Sequence, residues 1–344
     1  MMTDQLFKKA VTLTDVHFGR SQNSPVANQD NLDFIDWFIE EARTWGAETC
    51  LMLGDWHDSK SSLHIQTMHY SLKGMQKLND AFEKVIWIPG NHDLLYRNKR
   101  DISSVAFVKH LPNIKLIHEP TVFGDTTILP WLVENEPKSV RQIKSRYIFG
   151  HLECNSFMMN AKVPMPDHEN GISWEDFENG PEYVFSGHFH FRQAKGRVVY
   201  TGNIFPFNFA DAWDEDRGMM FLKWGKEPFF KAWPDQPLFR TINLSQLVDA
   251  PDKYLKPKLT ARVVTDLDMP YEESQALKES LMSHYGLRKF EYAKLPRENV
   301  EQDFVQEIQY QPVNQIVVEG LMSIDSAGID RNVLVELFNA LPDL

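Results

Sequence analysis

The first half of the chain alternates short apolar runs with segments of helical periodicity. Apolar runs occupy residues 10–15, 48–55, 84–90, 145–150 and 182–187. These runs lack polar–apolar alternation, which predicts strands that are covered on both faces. Apolar residues recur at helical spacing over residues 31–45, and a second helix is predicted over residues 62–82. The alternation of strands and helices predicts an α/β fold.

The pattern changes further along the chain. Between about residues 197 and 245 one strand-like run follows another, which predicts an α/β sandwich whose second sheet is largely antiparallel. Pro251, Pro257 and the lysines near them predict a linker. A strand–helix–strand pattern with its helix around residues 271–286 then predicts a small α+β unit, and two more helices are predicted near residues 314–323 and 330–341.

Composition and apolar run lengths narrow the class of protein. Of 344 residues, 42% are hydrophobic and 24% are charged, as in an ordinary globular protein. No apolar run approaches the ~18 residues of a membrane span, and the N-terminal residues lack the apolar core of a signal peptide. The two cysteines, Cys50 and Cys154, favour a reducing cytoplasm over a disulfide-stabilised exterior.

Polar residues cluster directly after the predicted strands. The motifs are Asp15-Val16-His17, Gly54-Asp55-Trp56-His57-Asp58, Gly90-Asn91-His92-Asp93, Gly150-His151 and Gly187-His188-Phe189-His190. Loops from several strands converge on a ligand at the carboxyl edge of an open α/β sheet. A single Gly-Asp or Asp-x-His is common turn chemistry. Five such motifs in order, each after a buried strand, favour one shared site.

The residue types in these motifs indicate metal chemistry. Asp, Asn and His without Cys suit Mn²⁺, Fe or Zn²⁺ at five- or six-coordinate sites and argue against a structural zinc–thiolate site. Two metals about 3.5–4 Å apart can share one carboxylate and activate a water for in-line attack on phosphorus. The sequence therefore predicts a dinuclear site that cleaves phosphoesters.

The order D-x-H, G-D-x-x-D, G-N-H-D, G-H and G-H-x-H resembles the calcineurin-like metallophosphoesterase superfamily. The resemblance implies an α/β four-layer sandwich, in which two mixed sheets are flanked by helices, followed here by the small C-terminal α+β domain. It also implies two divalent metal ions as cofactors, with Mn²⁺ preferred and Mg²⁺, Fe or Zn²⁺ as alternatives.

The resemblance further implies a role for each matching position. The first metal would be held by Asp15, His17, Asp55 and His190. The second would be held by Asp55, Asn91, His151 and His188, so that Asp55 bridges the pair. His92 would protonate the leaving oxygen or stabilise the transition state. Asp58 would orient His92 through a hydrogen bond, raise its pKa and keep it protonated.

The region after the last motif favours DNA as the phosphoester. Residues 197–224 resemble the corresponding stretch of SbcD-type nuclease subunits of DNA-end-processing complexes, with Gly202-Asn203, Pro206-Phe207 and Arg217-Gly218 at comparable places. Asn203 stands where those relatives often have Ser. The chain length and the sequences Gly-Asp-Trp-His and Gly-His-Leu-Glu within the motifs most resemble the tailed-phage recombination endonuclease subunits. The resemblance is strong over residues 10–245 and weak beyond.

This second resemblance implies a domain organisation and partners. Residues 1–245 would form the nuclease domain, 246–325 a DNA-capping-like α+β domain, and 326–344 a tail helix that is a candidate docking segment for an SMC-like ATPase. That helix can equally pack on its own domain. Relatives dimerise through helices of the phosphoesterase domain, which implies a homodimer. The location would be the host cytoplasm if the chain is phage-encoded.

The leading prediction is a Mn²⁺-dependent DNA exonuclease/endonuclease that acts on single- and double-stranded ends in recombination, repair and recombination-dependent replication. Candidate DNA contacts are Arg97, Lys99, Arg100 and Trp56; a solvated charged loop and a packed tryptophan are the simpler interpretations. His57 is interpreted as a loop histidine or an extra phosphate contact. The other histidines, His64, His69, His110, His118, His168 and His284, match no motif.

Two alternatives to this prediction are also compatible with the sequence. The chain can be another superfamily enzyme, a protein phosphatase or cyclic-nucleotide phosphodiesterase, or a scaffold that clamps DNA with cleavage secondary.

The formal net charge of −12 counts against a simple nucleic-acid binder, because nonspecific affinity comes mainly from Lys and Arg. Two divalent metals would add about four positive charges locally. Weak DNA affinity of the chain alone is therefore expected.

Overall fold

The computed structural model describes residues 5–134, 136–159, 163–168, 171–294 and residue 333. The strands are β1 (Lys9–Leu13), β2 (Thr49–Met52), β3 (Lys84–Trp87), β4 (Ile114–Leu116), β5 (Thr121–Phe123), β6 (Thr126–Leu129), β7 (Tyr147–His151), β8 (Tyr183–Gly187), β9 (Gln193–Lys195), β10 (Val198–Tyr200), β11 (Gly218–Lys223), β12 (Phe229–Ala232), β13 (Leu238–Asn243), β14 (Leu259–Thr265) and β15 (Lys289–Lys294). The helices are α1 (Arg20–Asn23), α2 (Pro25–Trp45), α3 (Ile65–Ala81), α4 (Leu244–Asp249), α5 (Pro251–Tyr254) and α6 (Tyr271–Tyr285).

The first sheet has the strand order β12-β11-β1-β2-β3-β4. Its central pairs β1–β2, β2–β3 and β3–β4 are parallel, and β11 joins β1 antiparallel. Side chains such as Val11 and Cys50 pack with the helices α2 and α3, whereas Ala10 and Leu51 on the other face pack with the second sheet. Strands covered on both faces are apolar without alternation, as predicted.

The second sheet has the strand order β5-β6-β7-β8-β10-β9. The pairs β6–β7, β7–β8 and β8–β10 are parallel, and only the two edge pairs are antiparallel. The prediction of a largely antiparallel second sheet was therefore wrong. Among the consecutive strands between residues 197 and 245, β11 and β12 pair antiparallel in the first sheet, whereas β10 lies in the second sheet and β13 in a third.

Four layers result from this stacking. Helices α2 and α3 cover the first sheet, the two sheets pack face to face, and the outer face of the second sheet is covered by residues that include Val140, Phe157, Ile172 and Phe177. That outer layer contains the short 3₁₀ helices Glu136–Gln142 and Trp174–Phe177. The predicted α/β sandwich of two mixed sheets is confirmed.

Helix α2 begins earlier than the apolar period alone predicted. The Ser24 hydroxyl accepts a hydrogen bond from the Ala27 backbone N–H at 3.4 Å, and Pro25 occupies the first turn. Proline is favoured there because its missing N–H would have no helical partner. Gly46 ends the helix in the left-handed region, with φ 76°.

A third sheet follows, in the order β13-β14-β15, with α6 packed on one face. The segment predicted to be a linker forms α4 and α5 instead, with Leu247 and Leu255 buried in this small core. Strand β13 lies before residue 245 and pairs in parallel with β14 beyond it. All of these elements up to Ala293 belong to one compact unit.

The predictions for the C-terminal part of the chain fall outside the described residues, apart from Val333. They are the helices near residues 314–323 and 330–341, the tail helix at 326–344, and the part of the capping-like segment beyond residue 294. Within the part of the chain that the structure describes, no helix combines the length and hydropathy that a membrane span requires.

Candidate metal centre

The five motifs meet at one edge of the sandwich. Strands β1, β2 and β3 of the first sheet end just before Asp15, Asp55 and Asn91, while β7 and β8 of the second sheet end at His151 and just before His188. Parallel neighbours present their carboxyl ends at the same edge, which is why residues far apart in sequence converge there.

The backbone at these positions is held in an unfavourable conformation. Asp15, His17, Asp55 and His188 have φ values of 52°, 50°, 55° and 93°. A non-glycine residue in this region costs roughly 1–2 kcal/mol. Four of the seven predicted ligand positions carry this strain, so the surrounding fold imposes the loop geometry.

Two glycines allow the loops to approach closely. A Cβ on Gly54, whose φ is 95°, would lie 2.4 Å from His151 Nδ1, and one on Gly90 would lie 2.2 Å from Asp55 Oδ1. Both distances are far below van der Waals contact. The Gly-Asp and Gly-Asn-His-Asp motifs therefore need glycine because the loops after β2 and β3 nearly touch.

The first group of donor atoms consists of two carboxylates, from Asp15 and Asp55, and two imidazoles, from His17 and His190. His17 Nε2 lies 3.2 Å from His190 Nε2. Asp15 Oδ1 lies 3.9 Å from each of these two nitrogens. Asp55 Oδ2 completes the group at 3.8 Å from His17 Nε2. These separations suit atoms that surround a single cation.

The second group shares Asp55 with the first. Asp55 Oδ2 lies 3.3 Å from His151 Nε2. Asn91 Oδ1 lies 3.1 Å from the same nitrogen and 2.9 Å from His188 Nδ1. One oxygen of Asp55 thus faces both groups, while its other oxygen accepts the His92 backbone N–H at 2.8 Å. The donor set of carboxylate, amide oxygen and imidazole fits two divalent metals bridged by Asp55.

Further contacts fix the rings of the three histidines. His151 Nδ1 donates to the Leu53 carbonyl at 2.7 Å, which leaves Nε2 as the nitrogen that faces the other donor atoms. His17 Nδ1 lies 3.3 Å from Asp58 Oδ1, and His188 Nε2 lies 3.5 Å from Glu153 Oε1. Partners of this kind select the tautomer and orient the ring of a metal-binding histidine.

The carboxylates create a strongly negative field in this site. Burial opposes protonation of His17, yet hydrogen bonding to Asp15 and Asp58 raises its pKa to about 10. Burial likewise opposes protonation of His151, and Asp55 raises its pKa to about 9. An environment that stabilises positive charge on imidazoles also stabilises bound cations.

His92 is held by a different part of Asp58 than the sequence predicted. Its Nδ1 donates to the Asp58 backbone carbonyl at 2.8 Å, whereas the Asp58 carboxylate faces His17. The predicted rise in the pKa of His92 was also wrong. Burial lowers this pKa and outweighs the opposing effect of the Asp55 carboxylate.

Asp93 is a residue of the third motif for which the sequence suggested no role. Its Oδ1 accepts the backbone N–H groups of Trp56 and His57 at 3.0 and 3.1 Å, and its Oδ2 accepts that of Gly90 at 3.0 Å. The fully buried carboxylate therefore joins the loop after β2 to the loop after β3. Its position at the end of Gly-Asn-His-Asp was the available signal.

Glu153 was not predicted as a site residue either. Besides facing His188, it accepts hydrogen bonds from Arg97 Nη2 at 2.8 and 2.9 Å. Burial raises its pKa, but His188 and Arg97 lower it to about 2. Glu153 follows His151 by two residues at the end of a strand, which is the same spacing that marks Asp15 and His17.

Arg217 anchors the loop that carries His190. This fully buried guanidinium donates to the His190 carbonyl and to Asn203 Oδ1. It also pairs with Asp211 at 3.2 Å and with Asp214 at 2.5 Å. The region 203–217, identified in the sequence by resemblance only, therefore acts through His190.

Three of the residues considered for phosphate or DNA contact are buried. Trp56 is fully buried, packs against Phe18 and Trp87, and donates to Ser71 Oγ at 2.8 Å, so stacking on a base is excluded in this conformation. His57 is also fully buried, and burial lowers its pKa to about 3. Arg100 is mostly buried and is tied to Glu136 and the Trp131 carbonyl.

The remaining two candidates are exposed at the edge of the site. The Arg97 side chain is 66% exposed although it is paired with Glu153. Lys99 is exposed, with Nζ 6.0 Å from the centroid of the Tyr96 ring. Of the four predicted DNA contacts, these two remain accessible to a ligand.

Comparison with known proteins places this arrangement in a family. Residues 9–192 match the model of the calcineurin-like phosphoesterases. The chain is 27% identical over 343 residues to "Exonuclease subunit 1" of Enterobacteria phage T4, with 90% of this chain and 99% of that protein covered.

Two solved structures were also matched by the comparison. The nuclease MPE of Pseudomonas putida is 18% identical, with 55% of this chain and 66% of that chain covered and a TM-score of 0.29. The protein TT1561 of Thermus thermophilus is 12% identical, with 66% and 99% covered and a TM-score of 0.39. Because the family model spans more than half of the 344 residues and includes all five motifs, this chain belongs to the calcineurin-like phosphoesterase family.

Proposed function

We propose that this phosphoesterase is a two-metal DNA exonuclease/endonuclease. The observation that carries the proposal is Asp55 Oδ2, which lies 3.8 Å from His17 Nε2 and 3.3 Å from His151 Nε2 and so faces both donor groups. The likeness to a protein named as an exonuclease subunit supports DNA as the substrate. Mixed oxygen and imidazole donors suit Mn²⁺, which is the proposed cofactor.

The residues of the site have separable tasks. When bound, the two metals supply positive charge to the phosphoryl oxygens and lower the pKa of a water. Asp15, His17 and His190 would hold one metal, Asn91, His151 and His188 would hold the other, and Asp55 faces both donor groups. The task of His92 is proton transfer at Nε2, because its Nδ1 is engaged by the Asp58 carbonyl. A phosphodiester anion beside the ring opposes the effect of burial and favours the protonated form.

The proposal extends to partners. A relative named as a subunit supports action in a complex, which we propose to contain an SMC-like ATPase that docks on the tail at residues 326–344. The exposed side chains of Ile65, Met68 and Leu72 lie at helical spacing along α3 and support a homodimer through this helix. Recombination, repair and replication in a host cytoplasm are the proposed setting.

The substrate is tested by a direct comparison of phosphoesters. Linear single- and double-stranded DNA, a phosphopeptide and a cyclic nucleotide are each incubated with the protein and Mn²⁺, Mg²⁺ or Zn²⁺. We expect release of nucleotides or fragments from end-labelled DNA with Mn²⁺. Turnover of the phosphopeptide or the cyclic nucleotide without cleavage of DNA would replace the proposal with a phosphatase or a cyclic-nucleotide phosphodiesterase.

The role of His92 is tested by substitution. His92→Ala removes proton transfer at the leaving oxygen, so we expect DNA cleavage to fall by at least about 100-fold. Mn²⁺ binding measured by calorimetry stays near the wild-type value, because the His92 side chain is not among the proposed ligands. His110→Ala, on an exposed histidine, is the matched control. Wild-type cleavage by His92→Ala would remove the assigned role.

A further inference from the structure

A cavity of about 300 Å³ opens directly beside the metal centre. His188 and His190 form part of its wall, so the cavity adjoins both donor groups. Its volume lies at the lower end of the roughly 300–1,000 Å³ of small-molecule pockets. None of the tasks assigned above uses this space.

The apolar part of the cavity is built from Met159, Met165 and Phe189. Met165 and Phe189 are 8% and 3% exposed, and the Phe189 ring packs on Tyr200 with centroids 4.7 Å apart. An aromatic edge and two methionines give this part of the wall an apolar, polarizable lining, of the kind against which planar aromatic ligands pack.

The polar part of the cavity disfavours an anion. Glu153 and Asp211 both line it. The two acidic side chains already accept hydrogen bonds, from Arg97 at 2.8 Å and from the Phe207 backbone N–H at 2.9 Å respectively. Their charges would repel a second phosphate. A neutral group with a flat apolar face is therefore the ligand that this cavity fits.

One side chain at the cavity can supply a directional contact. Asn208 Oδ1 accepts the Ala210 backbone N–H at 2.7 Å, which fixes the amide and leaves Nδ2 to donate to a ligand. Ring nitrogens and carbonyl oxygens on the edge of a nucleobase are acceptors for such a donor.

We infer that this cavity binds one unstacked nucleobase of the DNA, the base that adjoins the phosphate being cleaved. The inference rests on the proposed function, since it requires a nucleic-acid phosphodiester at the two metals. Extracting a base from a duplex costs most when the base is paired and least at a single strand or frayed end. The cavity thus selects for unpaired DNA next to the cut.

The first test varies the DNA and leaves the protein intact. A set of single-stranded oligonucleotides carries one abasic site that is moved stepwise across the cleaved phosphate, and kcat/KM is measured with Mn²⁺ for each. We expect a loss of about tenfold at one position adjoining the phosphate and little change at the others, because a stacked base contributes roughly this much.

The second test fills the cavity. Met165→Trp places a bulky ring in the space proposed for the base, and Ala210→Met narrows the cavity at another lining position in case the first variant folds poorly. For either variant we expect kcat/KM on intact DNA to fall to about the value that the wild type shows on the sensitive abasic substrate. Placing the abasic site at that position should then lower the kcat/KM of the variant no further. Mn²⁺ binding reports that the centre is formed. Val122→Trp, at an exposed edge strand, is the control and keeps the wild-type profile.

The outcomes separate the cavity from the proposed function. Normal cleavage by the wild type with equal rates for every abasic position would overturn the base-binding cavity and leave the nuclease standing. Hydrolysis of bis(4-nitrophenyl) phosphate without cleavage of any DNA would overturn the proposed substrate, and the occupant of the cavity with it. Variants that keep the wild-type dependence on abasic position would place the base elsewhere.

Discussion

At the scale of single residues, the convergence of the predicted ligand positions was predictable because each stands at or just beyond the end of a buried strand. The contacts that orient them were not. Asp58 is close in sequence to Asp55, which suggested a role toward His92, but its carboxylate turns to His17 while its carbonyl takes the expected contact. Which atom of a residue faces a neighbour depends on loop dihedrals such as the φ of 55° at Asp55.

The separate contacts of the Asp58 carboxylate and the Asp58 carbonyl give a specific prediction. Asp58→Ala removes the carboxylate beside His17 and keeps the backbone carbonyl that holds His92. Loss of a carboxylate that orients a metal-binding histidine typically weakens metal affinity by about 10–100-fold. We expect this loss for one of the two Mn²⁺ ions, measured by calorimetry, with Asp268→Ala as an exposed control. Unchanged affinity for both ions would show that the His17–Asp58 contact has no role in metal binding.

Asp93 permits a second prediction at this scale. Its two oxygens accept three backbone N–H groups. Asp93→Asn turns one oxygen into an NH₂ group that faces donors, so at least one buried N–H loses its acceptor. We expect the free energy of unfolding in urea to fall by about 1–3 kcal/mol.

The exposed Asp101→Asn serves as the comparison for Asp93→Asn and should leave the urea midpoint within error. Equal stability of the two variants would mean that the carboxylate does not hold the loops after β2 and β3 together.

Burial explains why other residue predictions differ from the structure. Trp56 and His57 lie inside the Gly-Asp-x-x-Asp motif, yet both side chains point into the core, where Ser71 bonds each of them. Ser71 lies on α3, so the contact depends on where that helix packs. A sequence without tertiary contacts cannot distinguish a motif residue that faces the ligand from one that faces the core.

At the scale of elements, the positions of strands were predicted well and their pairing was not. The runs at β10, β11 and β13 follow one another closely and are similar in composition, and yet they join three sheets. Which strands pair depends on long connections along the chain. Here the chain returns to the first sheet after β10, and β11 lies antiparallel beside β1. Arg217, next to the start of β11, ties that return to the loop after β8.

Arg217 therefore supports a prediction about how these elements are joined. Arg217→Met leaves the carboxylates of Asp211 and Asp214 without their buried partner. Removing one member of a buried charge cluster costs about 3–5 kcal/mol. We expect a loss of this size in urea unfolding, a smaller loss for Arg217→Lys, and weaker binding of Mn²⁺ at the donor group that contains His190.

The control for this prediction is Arg43→Met, whose exposed ion pair with Glu40 contributes only about 0.3–0.5 kcal/mol. A urea midpoint for Arg217→Met that matches the midpoint of this control would mean that the cluster does not join the loop after β8 to β11.

At the scale of the whole molecule, a chain of charged contacts connects the small third sheet to the metal centre. Arg288 donates to both oxygens of Asp30 at 2.5 Å. Asp30 also lies 3.9 Å from Arg20, whose guanidinium covers the ring of Phe207. Phe207 in turn contacts His17, with centroids 5.7 Å apart. The small sheet is thereby connected to the active edge, a relation that the predicted boundary at residue 245 did not reveal.

The last prediction concerns the salt dependence of DNA binding and follows from the net charge of the chain. The chain carries 36 basic and 48 acidic residues, and Arg97, Arg100 and Arg192 near the site are each paired with an acid. These three arginines are then less available to neutralise DNA phosphates, and each neutralised phosphate adds about −0.9 to the slope of log affinity against log salt.

We expect the His92→Ala variant, which binds DNA without cutting it, to show a slope shallower than about −3 with Mn²⁺. Affinity should fall further in EDTA, because metals bound at the candidate centre would provide positive charge at this edge. Fluorescence anisotropy across a salt series measures both quantities. A slope of about −6 or steeper would require a basic surface that this charge count does not provide, and would mean that the chain grips DNA by itself rather than through its metals and a partner.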